Sequence, residues 1–197
     1  MGPDTTLFRQ VNDLSASTPW AHGFLAVYAE WGGLVVLVLL LGWCWWAVRS
    51  REDGLRSMAG IVTTAVCSVI ALALSSYVIG PVVARPRPFV TLPHVLQLVP
   101  HAADSSFPSD HAMVAGALAA GILLLHRRAG FVAMMLAFLL AFARVYVGVH
   151  YPSDVLGGLL IGFAVTATLM IPFCAIIRPL LEKIARTPLR PALTTTK

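Results

Sequence analysis

Apolar residues run through this chain in blocks too long for an ordinary soluble helix or strand, and the polar residues gather between them. Gly23 to Val48, Met58 to Ile79, Pro108 to Leu125, Ala129 to Val147 and Val155 to Ile177 each read as a membrane span, since crossing the hydrocarbon core takes about 20 apolar residues. The third span is the shortest. Trp43, Trp45 and Trp46 suit an interfacial belt at the end of the first span, and Pro172 is expected to kink the fifth. Upstream, Leu7, Phe8, Val11 and Leu14 recur near the helical period across residues 4–18, which predicts an amphipathic interfacial helix too short and polar to span. The expected fold is therefore all-α: a multi-pass transmembrane helix bundle of about five spans plus this N-terminal helix. It forms one integral-membrane domain over 1–197, with a basic, flexible tail from about 187.

Composition agrees, with 58% hydrophobic and only 12% charged residues, outside the range of soluble domains. The net charge of +5 would suit nucleic acid only if the basic residues shared a helix face or alternated with aromatics, and they do neither. No nucleic-acid partner is expected. With alternating spans, Arg49, Arg51, Arg56, Arg127, Arg128, Arg178, Lys183, Arg186, Arg190 and Lys197 fall on one side, against Arg9, Arg85, Arg87 and Arg144 on the other. The first side is the expected cytoplasmic one. Cys44, Cys67 and Cys174 lie in apolar runs without C-x-x-C spacing and read as packing residues, and no removable signal peptide is expected.

Polar groups at the mouths of apolar segments are costly and need a reason. Pro108 suits the first turn of the third helix, which would leave Ser109 and His111 beside outward-pointing backbone N–H groups, an anion site by construction. Pro152 signals another helix start, with His150 just outside and Asp154 one turn inside. A carboxylate there could hold one imidazole nitrogen and leave the other free to attack. Residues 80–108 form the one long connection, rich in proline and histidine and without helical pattern. Glu30, inside the first span, reads equally as a functional group or as a carboxyl reaching water or a partner.

Three ordered motifs, Arg85-Pro86-Arg87-Pro88, Pro108-Ser109-Asp110-His111, and Arg144 followed by His150 and Asp154, resemble the signature of the type 2 phosphatidate phosphatase superfamily. That resemblance implies His150 as the nucleophile forming a phosphohistidine, Asp154 as the group fixing its tautomer, and His111 as the proton donor and later the activator of water. It also implies Arg87, Arg144 and Ser109 as phosphate ligands, with no metal or other cofactor. Two positions depart from the pattern. Gly80 stands where a lysine is usual, so Arg85 is a candidate replacement cation. Asp110 replaces a glycine and is expected to point away from phosphate or to partner Arg85 or Arg144. The run Gln97 to Ser106 leading into the second motif further resembles the bacitracin-resistance type of undecaprenyl diphosphate phosphatase, which implies a polyprenyl diphosphate substrate at the outer face of a bacterial cell membrane. His101, Arg85 and the N–H groups near Ser105 and Ser106 are then candidates for holding the retained phosphate. Phosphatidylglycerophosphate or phosphatidate remain alternative substrates, and a transporter or a lipid-binding protein with a degenerate site the non-enzymatic alternatives.

Overall fold

The computed structural model describes residues 2–49 and 54–188. Arg51, Arg190, Lys197 and most of the expected tail lie outside the described residues. Nine α-helical segments are described: α1 Pro3–Ser17, α2 His22–Val27, α3 Gly33–Val48, α4 Gly54–Leu74, α5 Gly80–Val83, α6 Pro88–Thr91, α7 Asp110–Leu125, α8 Arg127–Tyr146 and α9 Pro152–Ile184. A π-helical turn, Tyr28–Gly32, joins α2 to α3, and a second, Ser75–Ile79, joins α4 to α5. The all-helical transmembrane bundle expected from the hydropathy pattern is the fold observed. Among the described residues, four helical stretches are long and apolar enough to cross a bilayer, and α7 supplies a fifth, shorter apolar helix.

Several boundaries move. Ser109 caps α7 and Pro108 stands outside it, because the Ser109 N–H is drawn aside to the Asp154 carbonyl at 3.1 Å. The long connection contains α5 and α6 as single turns, each with proline in its first positions. The last helix runs through both Pro172 and Pro179 to Ile184, seven residues beyond the predicted end.

The sixteen residues of α7 rise about 24 Å, short of the ~30 Å hydrocarbon core. This short helix packs against α3, α4, α8 and α9. Its composition permits that, because lipid-phase helix packing relies on close approach of small residues. A Cβ at Gly116 would lie 2.3 Å from the Leu159 carbonyl oxygen, one at Gly121 2.1 Å from Thr64 Oγ1, and one at Gly162 2.0 Å from the Met113 carbonyl oxygen. The outward faces carry the lipid-facing apolar residues, among them Trp43, Trp46, Phe131 and Leu160.

The N-terminal helix is more than an interfacial float. Phe8, Asn12 and Ser15 turn inward and are buried, while Leu7 and Leu14 remain exposed. Asn12 exchanges both amide bonds with the Leu96 backbone, at 2.9 and 3.0 Å, and Arg9 reaches the Pro93 carbonyl at 2.8 Å. The helix thus lies across the mouth of the bundle, bonded to the connection between α6 and α7. Gly148, at φ +85°, lets the chain pass the same segment: a Cβ there would stand 2.4 Å from the Leu96 carbonyl oxygen.

Gly162→Val places carbon against backbone that cannot retreat, so a loss of about 1–3 kcal/mol is expected. Gly42→Val, in a position with nothing within 4 Å, is expected to be nearly neutral. Thermal unfolding of both variants in the same detergent checks the pair, and equal midpoints would contradict the packing described for α7.

Candidate active site

Four elements meet at the mouth. The turn after α8 carries His150, α9 begins with Asp154, α7 begins with Ser109 and His111, and the connection brings Arg85, Arg87, His101 and Ser106. His150 is buried (2% exposed), as are Arg144 (1%), Asp154 (0%) and Ser109 (0%).

The partners of His150 define its tautomer. Its Nδ1 lies 2.9 Å from the Ser106 backbone oxygen, and a carbonyl can only accept, so Nδ1 carries the proton. Nε2 then holds the lone pair. Arg87 Nη1 approaches it at 3.1 Å and Arg144 Nη2 at 3.3 Å, both obligate donors. A nitrogen lone pair therefore faces two guanidinium groups.

The sequence expectation that Asp154 itself holds the imidazole needs correction. Asp154 Oδ2 is 3.9 Å from His150 Nδ1, because that oxygen accepts instead from Ser106 Oγ and from the Tyr151 N–H at 2.8 Å. Ser106 is the intermediary: its hydroxyl binds the carboxylate and its carbonyl binds the histidine. Sequence reading singled out only the N–H groups near Ser106, since no spacing rule connects a loop serine to residues 44 and 48 positions later.

Ser109 is placed to cap α7, where serine normally lends its hydroxyl to the first-turn N–H groups. It makes no such bond. Ser109 Oγ and Arg144 Nε are both buried and without a hydrogen-bond partner. Buried polar groups are rarely left unpaired, so two in one site mark a place built for an acceptor-rich ligand. With Arg87, Arg144 and the N-terminus of α7 around it, the arrangement suits an anion.

His111 Nε2 lies 3.0 Å from the Glu30 backbone oxygen, which leaves its Nδ1 for proton exchange. Arg144 Nη1 bonds the neighbouring Ala29 carbonyl at 3.4 Å. Both carbonyls belong to the π-helical turn, a feature frequent at functional sites. The contribution of Glu30 to the histidine is thus its backbone; its carboxyl remains half-buried.

The remaining candidates divide. Arg87 is buried, with Nε on Asp104 at 2.7 Å and Nη1 on the Val149 carbonyl at 2.9 Å. The His101 ring stands edge-on to His150, centroids 6.2 Å apart, over the site. Arg85, expected to offer a free cation to phosphate, is instead committed to Asp4, Ser153 and Asp154, at 2.6, 2.7 and 2.6 Å. Asp110, expected to point away from phosphate or to partner Arg85 or Arg144, is turned to the hydroxyls of Ser75 and Ser76 in the second π-helical turn. Two hydroxyl donors, 35 and 34 residues upstream, satisfy it without either arginine. Arg85, Asp104, Ser105 and Asp110 line a separate cavity of about 480 Å³ beside the site.

The class defined by this fold is a polytopic helical membrane protein whose buried polar cluster sits at one end of the bundle. The chain belongs to the PAP2 superfamily, whose sequence model matches residues 59–176. It is 31% identical to undecaprenyl-diphosphatase BcrC of Bacillus subtilis over 91% of this chain and 89% of that one. It is 35% identical to the putative undecaprenyl-diphosphatase YbjG of Escherichia coli, over 80% and 76%. Among solved structures it resembles Aquifex aeolicus LpxE, with TM-score 0.64, 27% identity and coverage of 87% and 96%.

Burial first, and then the charges of Arg144 and Arg87, hold the His150 pKa well below its ordinary 6.5, against the opposing bond to Ser106. The unfolded chain takes up this proton near 6.5 and the folded one only at much lower pH, so the unfolded state binds more protons in between. The folded state should accordingly hold full stability above that value and lose it as pH falls below. Melting curves in detergent at descending pH should drop more steeply for the wild type than for His150→Gln, and parallel curves would contradict a neutral, buried His150.

Proposed function

We propose that this protein is a lipid phosphatase that removes the terminal phosphate of undecaprenyl diphosphate, giving undecaprenyl phosphate and inorganic phosphate. The observation that carries the reading is the His150 Nε2 lone pair beside two arginines, with Ser109 Oγ and Arg144 Nε unpaired. The names of the relatives support the substrate.

In the first step the Nε2 lone pair forms a bond to the terminal phosphorus, and the bridging P–O bond breaks. Arg87, Arg144, Ser109 and the first-turn N–H groups of α7 neutralise the equatorial oxygens, which is where preorganised donors contribute most. His111 gives the departing undecaprenyl phosphate a proton through Nδ1 while the Glu30 carbonyl keeps its ring in place. The positive charge gained by His150 is shared with the Ser106 carbonyl and, behind it, Asp154. In the second step His111 takes a proton from water, the water oxygen bonds to phosphorus, and the P–N bond breaks. Nothing in the scheme asks for a metal. His101, over His150, is the remaining candidate for the phosphate that stays with the lipid.

The whole chain, 1–197, acts in this reading as one membrane phosphatase unit. Its setting is a bacterial inner membrane with the site facing outward: the described Arg49, Arg56, Arg127, Arg128 and Arg178 belong to the end remote from His150, and cytoplasmic ends carry the excess of arginine and lysine. The product would be the carrier lipid of cell-wall synthesis in reusable form.

Purified protein should release phosphate from undecaprenyl diphosphate faster than from phosphatidylglycerophosphate, and its overproduction should raise bacitracin tolerance. His150→Ala should lower kcat by roughly 1,000-fold or more and abolish the phosphoenzyme recovered after an acid-free quench. A phosphoenzyme retained in that variant would move the nucleophile elsewhere. A tenfold preference for phosphatidylglycerophosphate, about 1.4 kcal/mol in transition-state binding, would overturn the substrate assignment.

For orientation, single cysteines replacing Ala103 and Arg128, both exposed, are placed in a background without Cys44, Cys67 and Cys174. They should react with an impermeant thiol reagent from opposite sides of the membrane, Ala103→Cys from outside. Labelling of both from one side would contradict the topology.

A further inference from the structure

Asp4 lies outside the stretch matched by the superfamily, residues 59–176, on a helix that the hydropathy pattern assigns only to the interface. Its carboxylate is nonetheless tied into the site. Oδ2 accepts from Arg85 Nη2 at 2.6 Å and from Ser153 Oγ at 2.7 Å, and Oδ1 accepts from the Ser153 N–H at 2.9 Å. Arg85 Nη1 in turn reaches Asp154 Oδ1 at 2.6 Å. One guanidinium thus bridges two carboxylates from opposite ends of the chain.

The bridge is held flat. The Arg85 guanidinium lies 4.1 Å over the Tyr151 ring, a geometry that favours both stacking and charge. Phe8, one turn along α1 from Asp4, packs on the other partner of that stack, its ring centroid 5.5 Å from Tyr151. An arginine facing Asp154 alone would have one fork to satisfy and the freedom to rotate about it. With Asp4 on the second fork, its plane and the position of Asp154 Oδ1 are fixed together.

We propose that Asp4 is a positioning residue of the active site: through Arg85 it sets Asp154, through Asp154 it sets Ser106, and the Ser106 carbonyl sets the Nδ1–H of His150. The N-terminal helix is in this way part of the catalytic support. The proposal rests on the phosphatase reading above, since it concerns the same histidine. The Ser153 contacts add a second role, because Ser153 belongs to the first turn of α9 and an anionic partner there is favoured by the helix dipole. Burial disfavours the charged form of Asp4, but the bonds from Ser153 and Arg85 prevail and keep its pKa below 3.8, so the carboxylate is charged in the working range.

The test compares three variants in purified full-length protein with undecaprenyl diphosphate as substrate. Asp4→Asn keeps size and shape but removes the charge facing Arg85. It should lower kcat by about 10- to 100-fold, taking as a guide the range typical for outer-shell partners of metal-ligating histidines, with KM changed less than about threefold, because Arg87, Arg144 and Ser109 are untouched. Asp4→Glu should recover part of that loss. Asn12→Ala removes the pair with Leu96, which also docks α1, but touches nothing in the Arg85 chain. It should lower the melting temperature and leave kcat per folded molecule at the wild-type value. The proposal is overturned if Asp4→Asn retains wild-type kcat, or if it and Asn12→Ala lose activity in parallel with their loss of folded protein. A wild type that cleaves phosphatidylglycerophosphate and not undecaprenyl diphosphate would overturn the substrate assignment alone; the same comparison on that substrate then decides the role of Asp4.

Discussion

A buried carboxylate costs several kcal/mol in lost hydration unless each oxygen finds donors, and the bundle is closed around the way Asp154 finds them. Oδ1 takes Arg85 from the connection, Oδ2 takes Ser106 and the Tyr151 N–H, and the residue's own carbonyl takes the Ser109 N–H at the start of α7. One residue thereby ties together the connection, the start of α7 and the start of α9. Removing any partner leaves a buried charge short of donors, so these segments are held in register by a shared electrostatic requirement. The positions of His150 and Ser109 follow from it.

The second constraint is space. A helix of sixteen residues can sit inside the bundle only if its neighbours approach closely, and Gly116, Gly121, Gly158 and Gly162 are where they do. The α7 N-terminus is buried at Ser109, where hydrogen bonds to a charged ligand are stronger than in water. The two π-helical turns also serve these groups. One presents the Ala29 and Glu30 carbonyls to Arg144 and His111; the other presents Ser75 and Ser76 to Asp110.

These arrangements sort the charges. Arg87 and Arg144 face the neutral His150, while Asp110 and Asp154 are satisfied by hydroxyls, backbone and Arg85, away from Nε2. The result is a small region of positive charge, from Arg144 and from Arg87 with its Asp104 partner on the far side, bounded by the unpaired Ser109 Oγ and Arg144 Nε. An anion there can take hydrogen bonds from Ser109 Oγ and Arg144 Nε, and in the proposed reaction its phosphoryl group meets the His150 lone pair at the same place.

Much of this was legible in the residues. Long apolar blocks permit only membrane helices, because backbone polar groups must be satisfied internally in lipid, and the Arg144, His150 and Asp154 spacing survives as geometry because it runs along one turn and one helix start. Local rules could not assign partners across the chain. Arg85 read as a free cation, but Asp4 and Asp154, 81 and 69 positions away, use it up; of the two readings of Asp110, pointing away from phosphate or partnering an arginine, the second is not found, because two serines hold it. Ser106, Asp4 and the Glu30 carbonyl carry no sequence signal of function, since a serine hydroxyl, an N-terminal acid and a backbone oxygen become specific only when tertiary packing brings a donor within 3 Å. Sequence determined which groups must be buried in this membrane; the tertiary structure alone decided which of them satisfy one another and which, Ser109 Oγ and Arg144 Nε, are left open.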